Sequence, residues 1–196
     1  MVEQEEVKTI VMLCNIQQGF TGCSQYFPSQ EGDTQTHGDL RVSNVVTQTS
    51  PLDDFTVRDI ELQGLSGEKN TLKHIHFKLW PNYKVVENIS HLVHLVRAVH
   101  KQHQGDGPLL IHCSGGVGRS GTFTTIYTFL NVLNTASYNQ DDSVIRELLG
   151  PNDELILHPL VCHLRDSRHP WMVEGEHQYL LAYETCIQLL KEYLEK

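Results

Sequence analysis

The spacing of apolar and polar residues changes period several times along the chain, and each change marks an element. Residues 8–13 (KTIVML) form a short apolar run that predicts a buried strand, followed by turn-like sequence to Gly22. SQYFP ends in a proline, and the polar stretch EGDTQTHGD predicts a loop. LRVSNVVTQT (40–49) and FTVRDIELQ (55–63) each alternate with period two and are joined through SPLDD, the pattern of a hairpin. In the second of these, Phe55, Val57 and Asp59 share one face and Thr56, Arg58, Ile60 and Leu62 the other. A further strand, TLKHIHFKL, follows GLSGEKN and ends at Trp80-Pro81.

From Ile89 the period lengthens. Ile89, Leu92, Val93, Val96 and Val99 keep helical spacing, so residues 89–103 predict an amphipathic helix, stopped by Gly105-Asp106-Gly107-Pro108. LLIH (109–112) is a short apolar run that predicts a central strand covered on both faces. The glycine-rich CSGGVGRSG comes next, then FTTIYTFLNVLN, whose length and apolar content predict a buried helix. Residues 143–149 predict a shorter helix. The last helix is expected from Glu176 to Glu195, with Leu180, Tyr183, Ile187, Leu190 and Leu194 on its inner face. Interspersed strands and helices predict an α/β (α+β) chain with a mixed, twisted sheet flanked by helices.

Composition narrows the function classes. A chain of 196 residues with 39% hydrophobic and 20% charged side chains predicts one globular domain over 1–196, without repeats or linkers. The net charge of −9 argues against a nucleic-acid partner, which selects a basic field. An anion held here is held by local geometry, against the field of the whole molecule. No apolar stretch approaches the roughly 20 residues of a membrane span. The acidic start MVEQEEVKTI lacks the charge pattern of a signal peptide. Five scattered cysteines without a CxxC pair predict reduced thiols and a cytoplasmic setting. Twelve histidines raise the question of a metal. His74 and His76 share a strand face, and His91/His94 and His100/His103 sit three apart on a helix, but no third ligand lies at zinc spacing. Solvated histidines are expected, with no metal and no cofactor. Oligomeric state has no signature in the sequence.

The chemistry concentrates in His112-Cys113-Ser114-Gly115-Gly116-Val117-Gly118-Arg119-Ser120-Gly121. A Cys followed by an Arg six positions later is weak on its own, and Cys162/Arg168 repeats the spacing without glycines, which reads as coincidence. The first pair lies between a strand and a helix. Such a turn aims backbone N–H groups into one hollow, and the helix N-terminus adds partial positive charge. Glycines at 115, 116 and 118 let the backbone of Ser114–Gly118 curl around a tetrahedral dianion. The same field favours the thiolate of Cys113, and the planar fork of Arg119 suits two phosphoryl oxygens. Ser120 can donate to the sulfur, and His112 can orient the loop from behind. The chemistry this predicts is attack of Cys113 on phosphorus, giving a phosphocysteine that water hydrolyses.

HCSGGVGRSGTF resembles the active-site signature of the classical protein tyrosine phosphatases, HCxxGxxRSG, with Gly115 where the family usually has Ala. QYFP (25–28), TVRDIELQ (56–63), HFKLWPN (76–82) and MVEGEHQY (172–179) resemble further family landmarks in family order, so the resemblance spans essentially the whole chain. It implies the Cys-x5-Arg phosphatase fold and phosphotyrosine-containing proteins as partners. It also implies Cys113, Arg119, Ser120, Asn82 and Gln178 as catalytic positions, with residues 114–119 as the phosphate-binding loop. Asn82 stands where the family carries the Asp that protonates the leaving tyrosyl oxygen, and an amide cannot supply that proton. NYKVVEN has also lost that mobile loop's usual Gly and Pro. Glu174 stands where the family has the glutamine that positions water, and Gln178 matches the second family glutamine. Gln17 and Gly22 replace a charged pair before QYFP. Met1 aligns within the family's domain, so its upstream helices and phosphotyrosine-recognition loop are expected to be absent.

Three function classes follow. One is an attenuated phosphotyrosine phosphatase, with Glu87 or Glu174 as substitute acids of low prior. Another is a non-catalytic module that grips phosphotyrosine. The weakest is a phosphoinositide phosphatase, for which the loop lacks extra Lys residues.

Overall fold

The computed structural model describes residues 1–16, 23–81, 84–103, 107–150, 152 and 154–195. The chain divides into two compact units, Met1–Asn82 with Ala98–Ser114, and Tyr83–Arg97 with Gly115–Lys196.

The first unit is built on a mixed six-stranded sheet. Its strands are β1 (Thr9–Met12), β2 (Thr34–His37), β3 (Leu40–Thr49), β4 (Phe55–Gln63), β5 (Lys69–Phe77) and β6 (Leu109–His112), in the order β2-β3-β4-β5-β1-β6. β2 to β5 run antiparallel, and β1 lies parallel to both β5 and β6. The hairpin between β3 and β4 forms where period-two alternation predicts it, and Ser50 Oγ ties its turn to the buried carboxylate of Asp54. Of the two faces of β4, Thr56, Arg58, Ile60 and Leu62 are buried; Phe55 is buried as well.

Three expectations are corrected in this unit. EGDTQTHGD contains β2, whose side chains are mostly exposed, so pairing with β3 rather than burial makes it a strand. LLIH forms β6 at the sheet edge with every residue half-buried. The strand buried throughout is β1, which pairs on both sides. His74 and His76 are not solvated: they are 1% and 6% exposed, on the buried part of β5.

The second unit is helical. Helix α1 (Ile89–His103) has the predicted bounds and buries Leu92, Val93, Val96 and Val99; its segment up to Arg97 belongs to this unit and the rest to the first. Then come α2 (Gly118–Asn139), α3 (Ser143–Glu147), α4 (His158–Ser167) and α5 (Glu176–Leu194). α2 buries Phe123, Ile126, Phe129, Leu130 and Leu133, and packs against α3, α4 and α5. α4 was not anticipated, although Leu157, Leu160, Val161 and Leu164 keep helical spacing; Val161 is its one fully buried residue among those described. Pro159 in its first turn is the start signal the sequence did offer. The inner face of α5 is also rotated from expectation. Leu181, Ala182, Thr185, Cys186, Leu189 and Leu190 are buried, whereas Leu180 and Leu194 are 49% and 69% exposed. Small residues at 182, 185 and 186 let α5 approach α2 closely, which a count of large apolar side chains overlooks.

Candidate active site

The HCSGGVGRSG segment begins at the end of β6 and becomes the first turns of α2, along one continuous chain. Cys113 and Ser114 belong to the first unit, and Gly115 to Ser120 to the second.

In the first unit, Cys113 is 6% exposed and its backbone is held from behind. Tyr26 Oη lies 2.6 Å from His112 Nε2 and 3.0 Å from His74 Nε2, and His112 Nδ1 lies 3.3 Å from the Cys113 carbonyl. Each neutral ring carries one proton, which assigns the donors. His112 Nδ1–H donates to the Cys113 carbonyl, so its bare Nε2 accepts from the Tyr26 hydroxyl, whose oxygen accepts from His74 Nε2–H. Burial lowers the pKa of both His74 and His112, which keeps the rings neutral as this chain requires. Burial likewise pushes the Tyr26 phenol up, so it remains a donor. His76 Nε2–H donates to the Cys14 carbonyl at 2.9 Å. Arg58 lies 4.7 Å over the Phe27 ring, a cation–π contact, and its Nε and Nη1 have no hydrogen-bond partner among the described residues. Cys23 donates to the Cys113 carbonyl at 3.3 Å and lies 2.9 Å from Cys14 across the sulfurs. An apolar cavity of about 650 Å³, lined by sheet residues, reaches Cys23, Tyr26, His112 and Ser114.

In the second unit, Gly116 has φ 69°, a left-handed conformation that favours glycine, and Val117 leads into α2 without any side-chain cap. The first N–H groups of a helix have no acceptor within the helix, so an uncapped N-terminus of a buried 22-residue helix is suited to an anion. Arg119 and Ser120 in this turn are 7% and 3% exposed, and the Ser120 hydroxyl has no partner among the described residues.

Three supports converge on the turn from elsewhere in the unit. Arg168 Nη1 donates to the Gly116 carbonyl, so the Cys162/Arg168 spacing is a coincidence as a motif, yet its Arg serves this loop. Thr122 Oγ1 donates to Gln178 Oε1 at 3.0 Å, and a Cβ on Gly118 would meet the Gln178 amide at 3.0 Å and Glu174 Oε2 at 3.1 Å. Gln178 and Glu174 therefore both flank the start of α2, with Glu174 exposed and Gln178 half-buried. The Met172–Val173 backbone lies against Gly121, and Arg165 Nε holds the Met172 carbonyl at 3.0 Å. Arg165 and Arg168 were missed as supports because each acts on backbone carbonyls, which leave no pattern in sequence, and Tyr26 because it meets His112 from 86 residues away. Asn82, Gln17 and Gly22 lie outside the described residues, and Glu87 is exposed.

The protein-tyrosine phosphatase family model matches residues 1–188, and the chain belongs to that family. The chain is 32% identical over 198 residues to human receptor-type tyrosine-protein phosphatase eta, covering 97% of this chain and 13% of that protein. It is 34% identical over 188 residues to human tyrosine-protein phosphatase non-receptor type 7, covering 94% of this chain and 46% of that protein. The chain thus spans less than half the length of either relative. Its fold is that of the solved structure of PTPN18 in complex with HER2-pY1248 phosphor-peptides, with a TM-score of 0.76 at 22% identity over 96% of this chain and 65% of that one.

Proposed function

We propose that residues 1–196 form the greater part of a catalytic domain that hydrolyses phosphotyrosine in proteins through a phosphocysteine intermediate, with its acid step impaired. The observation that carries this reading is the uncapped start of α2 following Cys113, with Arg119 buried in its first turn. Cys113 attacks phosphorus, Arg119 and the backbone of Ser114–Gly118 hold the phosphoryl oxygens, and the Ser120 hydroxyl, without a partner among the described residues, donates to the departing sulfur in the second step. Gln178, beside Gly118, positions water. Asn82 leaves tyrosyl oxygen without its proton donor, which costs about 10²–10⁴-fold in rate. Family relatives named as tyrosine phosphatases support the substrate class. A solved neighbour that carries phosphopeptides supports phosphotyrosine-containing proteins as partners. The free cysteines, which persist in a reducing compartment, support a cytoplasmic placement. No described helix is long and apolar enough to cross a membrane.

A second reading, a phosphotyrosine-binding module with little or no turnover, is favoured by the uncapped turn and buried Arg119 in a chain whose Asn82 replaces the acid, which keeps ground-state contacts to phosphate while removing a transition-state one. One experiment separates the two. Phosphate release from a phosphotyrosyl peptide and from nitrophenyl phosphate is measured for the wild type, Cys113→Ser and Asn82→Asp. The enzyme reading expects a strong preference for the activated leaving group, a gain of about 10²-fold or more on the peptide in Asn82→Asp, and no turnover in Cys113→Ser. No turnover of either substrate by the folded chain, with peptide binding intact, establishes the module instead.

A further inference from the structure

The sulfurs of Cys14 and Cys23 make a contact that phosphate chemistry does not use. Cys14 follows β1 and is 1% exposed; Cys23 is half-buried and lines the 650 Å³ cavity. Their Sγ atoms are 2.9 Å apart, against about 2.05 Å for a covalent disulfide, so closure needs less than about 1 Å of movement. We propose that Cys14 and Cys23 form a reversible oxidation site that closes to a disulfide when the protein meets hydrogen peroxide.

The burial difference sets the order of events. Peroxide entering the cavity reaches Cys23 first. The Cys23 sulfur attacks one peroxide oxygen, the O–O bond breaks, and the released hydroxide leaves as water with the thiol proton, giving a sulfenic acid. The Cys14 sulfur then attacks the Cys23 sulfur, the S–O bond breaks, and the hydroxyl leaves as a second water with the Cys14 proton. Two thiols and one peroxide become one disulfide and two waters, the sulfurs supplying the two electrons that reduce the peroxide. A resolving thiol already in contact intercepts the sulfenic acid before further oxidation.

His112 completes a cluster whose thiol and imidazole atoms all lie within 4.8 Å of one another, the donor set of a soft metal ion. Two distances favour oxidation over metal. Two thiolates on a tetrahedral zinc stand about 3.8 Å apart, given Zn–S of about 2.3 Å, well beyond the separation here. Both nitrogens of His112 are also engaged, with Tyr26 and with the Cys113 carbonyl. Oxidation is also felt at the loop. Cys23 donates its S–H to the Cys113 carbonyl at 3.3 Å, and a disulfide has no proton to donate.

The test needs no assumption about phosphatase activity. The full chain, purified with chelator and reductant and then freed of both, is treated with graded peroxide and alkylated under denaturing conditions. Tryptic digestion yields Thr9–Arg41, which holds both cysteines without an internal Lys or Arg, and chymotryptic cleavage after Phe20 separates them. The expected product is two hydrogens lighter and unalkylated, with its halves linked until dithiothreitol is added. Buried Cys186 keeps its alkyl label at the same dose. In Cys14→Ser, Cys23 accumulates sulfinic and sulfonic forms instead. Full alkylation of both thiols at a peroxide dose that oxidises Cys113 overturns the proposal without any variant. So does equally fast linking in concentrated urea, which would trace to sequence proximity alone. Protection of the pair by added zinc, released by chelator, would make the cluster a metal site and also overturn it.

Discussion

Gly121 offers a substitution for which two physical effects predict opposite signs. It lies in the second turn of α2, where helix propensity alone expects Gly121→Ala to stabilise by about 1 kcal/mol. The surroundings say otherwise. A Cβ at this position would stand 2.4 Å from Val173 N, 3.1 Å from Met172 C and 3.2 Å from Met172 Cα, all of them backbone. Relief to an ordinary contact of about 3.5 Å requires the chain to retreat by roughly 1 Å. It is poorly placed to do so. Val173 is fully buried with φ 61°, its N–H donates to the Val117 carbonyl at 3.3 Å, and Arg165 anchors the Met172 carbonyl. Overpacking of this kind costs about 1–3 kcal/mol, and a lost backbone hydrogen bond about 1 kcal/mol more. After the propensity gain, a net loss of about 1–3 kcal/mol remains, or a fall in Tm of about 2–12 °C at this chain length. Thermal and urea unfolding measure it directly. Gly115→Ala is the matched control. Its Cβ meets nothing closer than Val117 Cγ2 at 3.9 Å, so it is expected to be neutral or to stabilise by up to about 1 kcal/mol. A Gly121→Ala chain that melts at or above the wild type would refute the reasoning.

Stability is expected to fall in mild acid. His74 and His76 have folded pKa values below their ordinary one because burial disfavours the charged ring, to about 4 for His76. The unfolded chain therefore binds more protons below about pH 6.5, so stability is full above that pH. It is lost as pH falls toward 4, by up to about 1.4 kcal/mol per pH unit for each ring. Urea midpoints at pH 7.5 and 5.5 check this, and a flat profile would mean that the rings are not buried neutral. Arg168→Met removes the donor to the Gly116 carbonyl and is expected to raise KM for an aryl phosphate about fivefold, the equivalent of about 1 kcal/mol, with Tm little changed. An unchanged KM would remove Arg168 from the loop's support.

The chain's local repeats account for much of its secondary structure. Alternation in LRVSNVVTQT and FTVRDIELQ and helical spacing from Ile89 place β3, β4 and α1 at their observed bounds, because such patterns depend only on near neighbours. β2 escaped the same reading because pairing with β3 rather than burial makes it a strand; α4 was overlooked although Leu157, Leu160, Val161 and Leu164 carry the same helical spacing.

What the sequence determined by itself was the strand-turn-helix: HCSGGVGRSG runs from the end of β6 into α2, as its order between an apolar strand and a long helix predicts, and an anion-binding loop there is the expectation that order carries. Its supports were decided only in three dimensions. Parallel pairing of β1 with β5 and β6 sets Met12 opposite both His76 and His112, which carries the chain after β1, and with it Cys14, alongside the end of β6. Cys23, Tyr26 and His112 come together there although up to 89 residues separate them. Arg168 reaches Gly116 across 52 residues through a backbone carbonyl, an acceptor that every residue carries and that sequence therefore cannot single out.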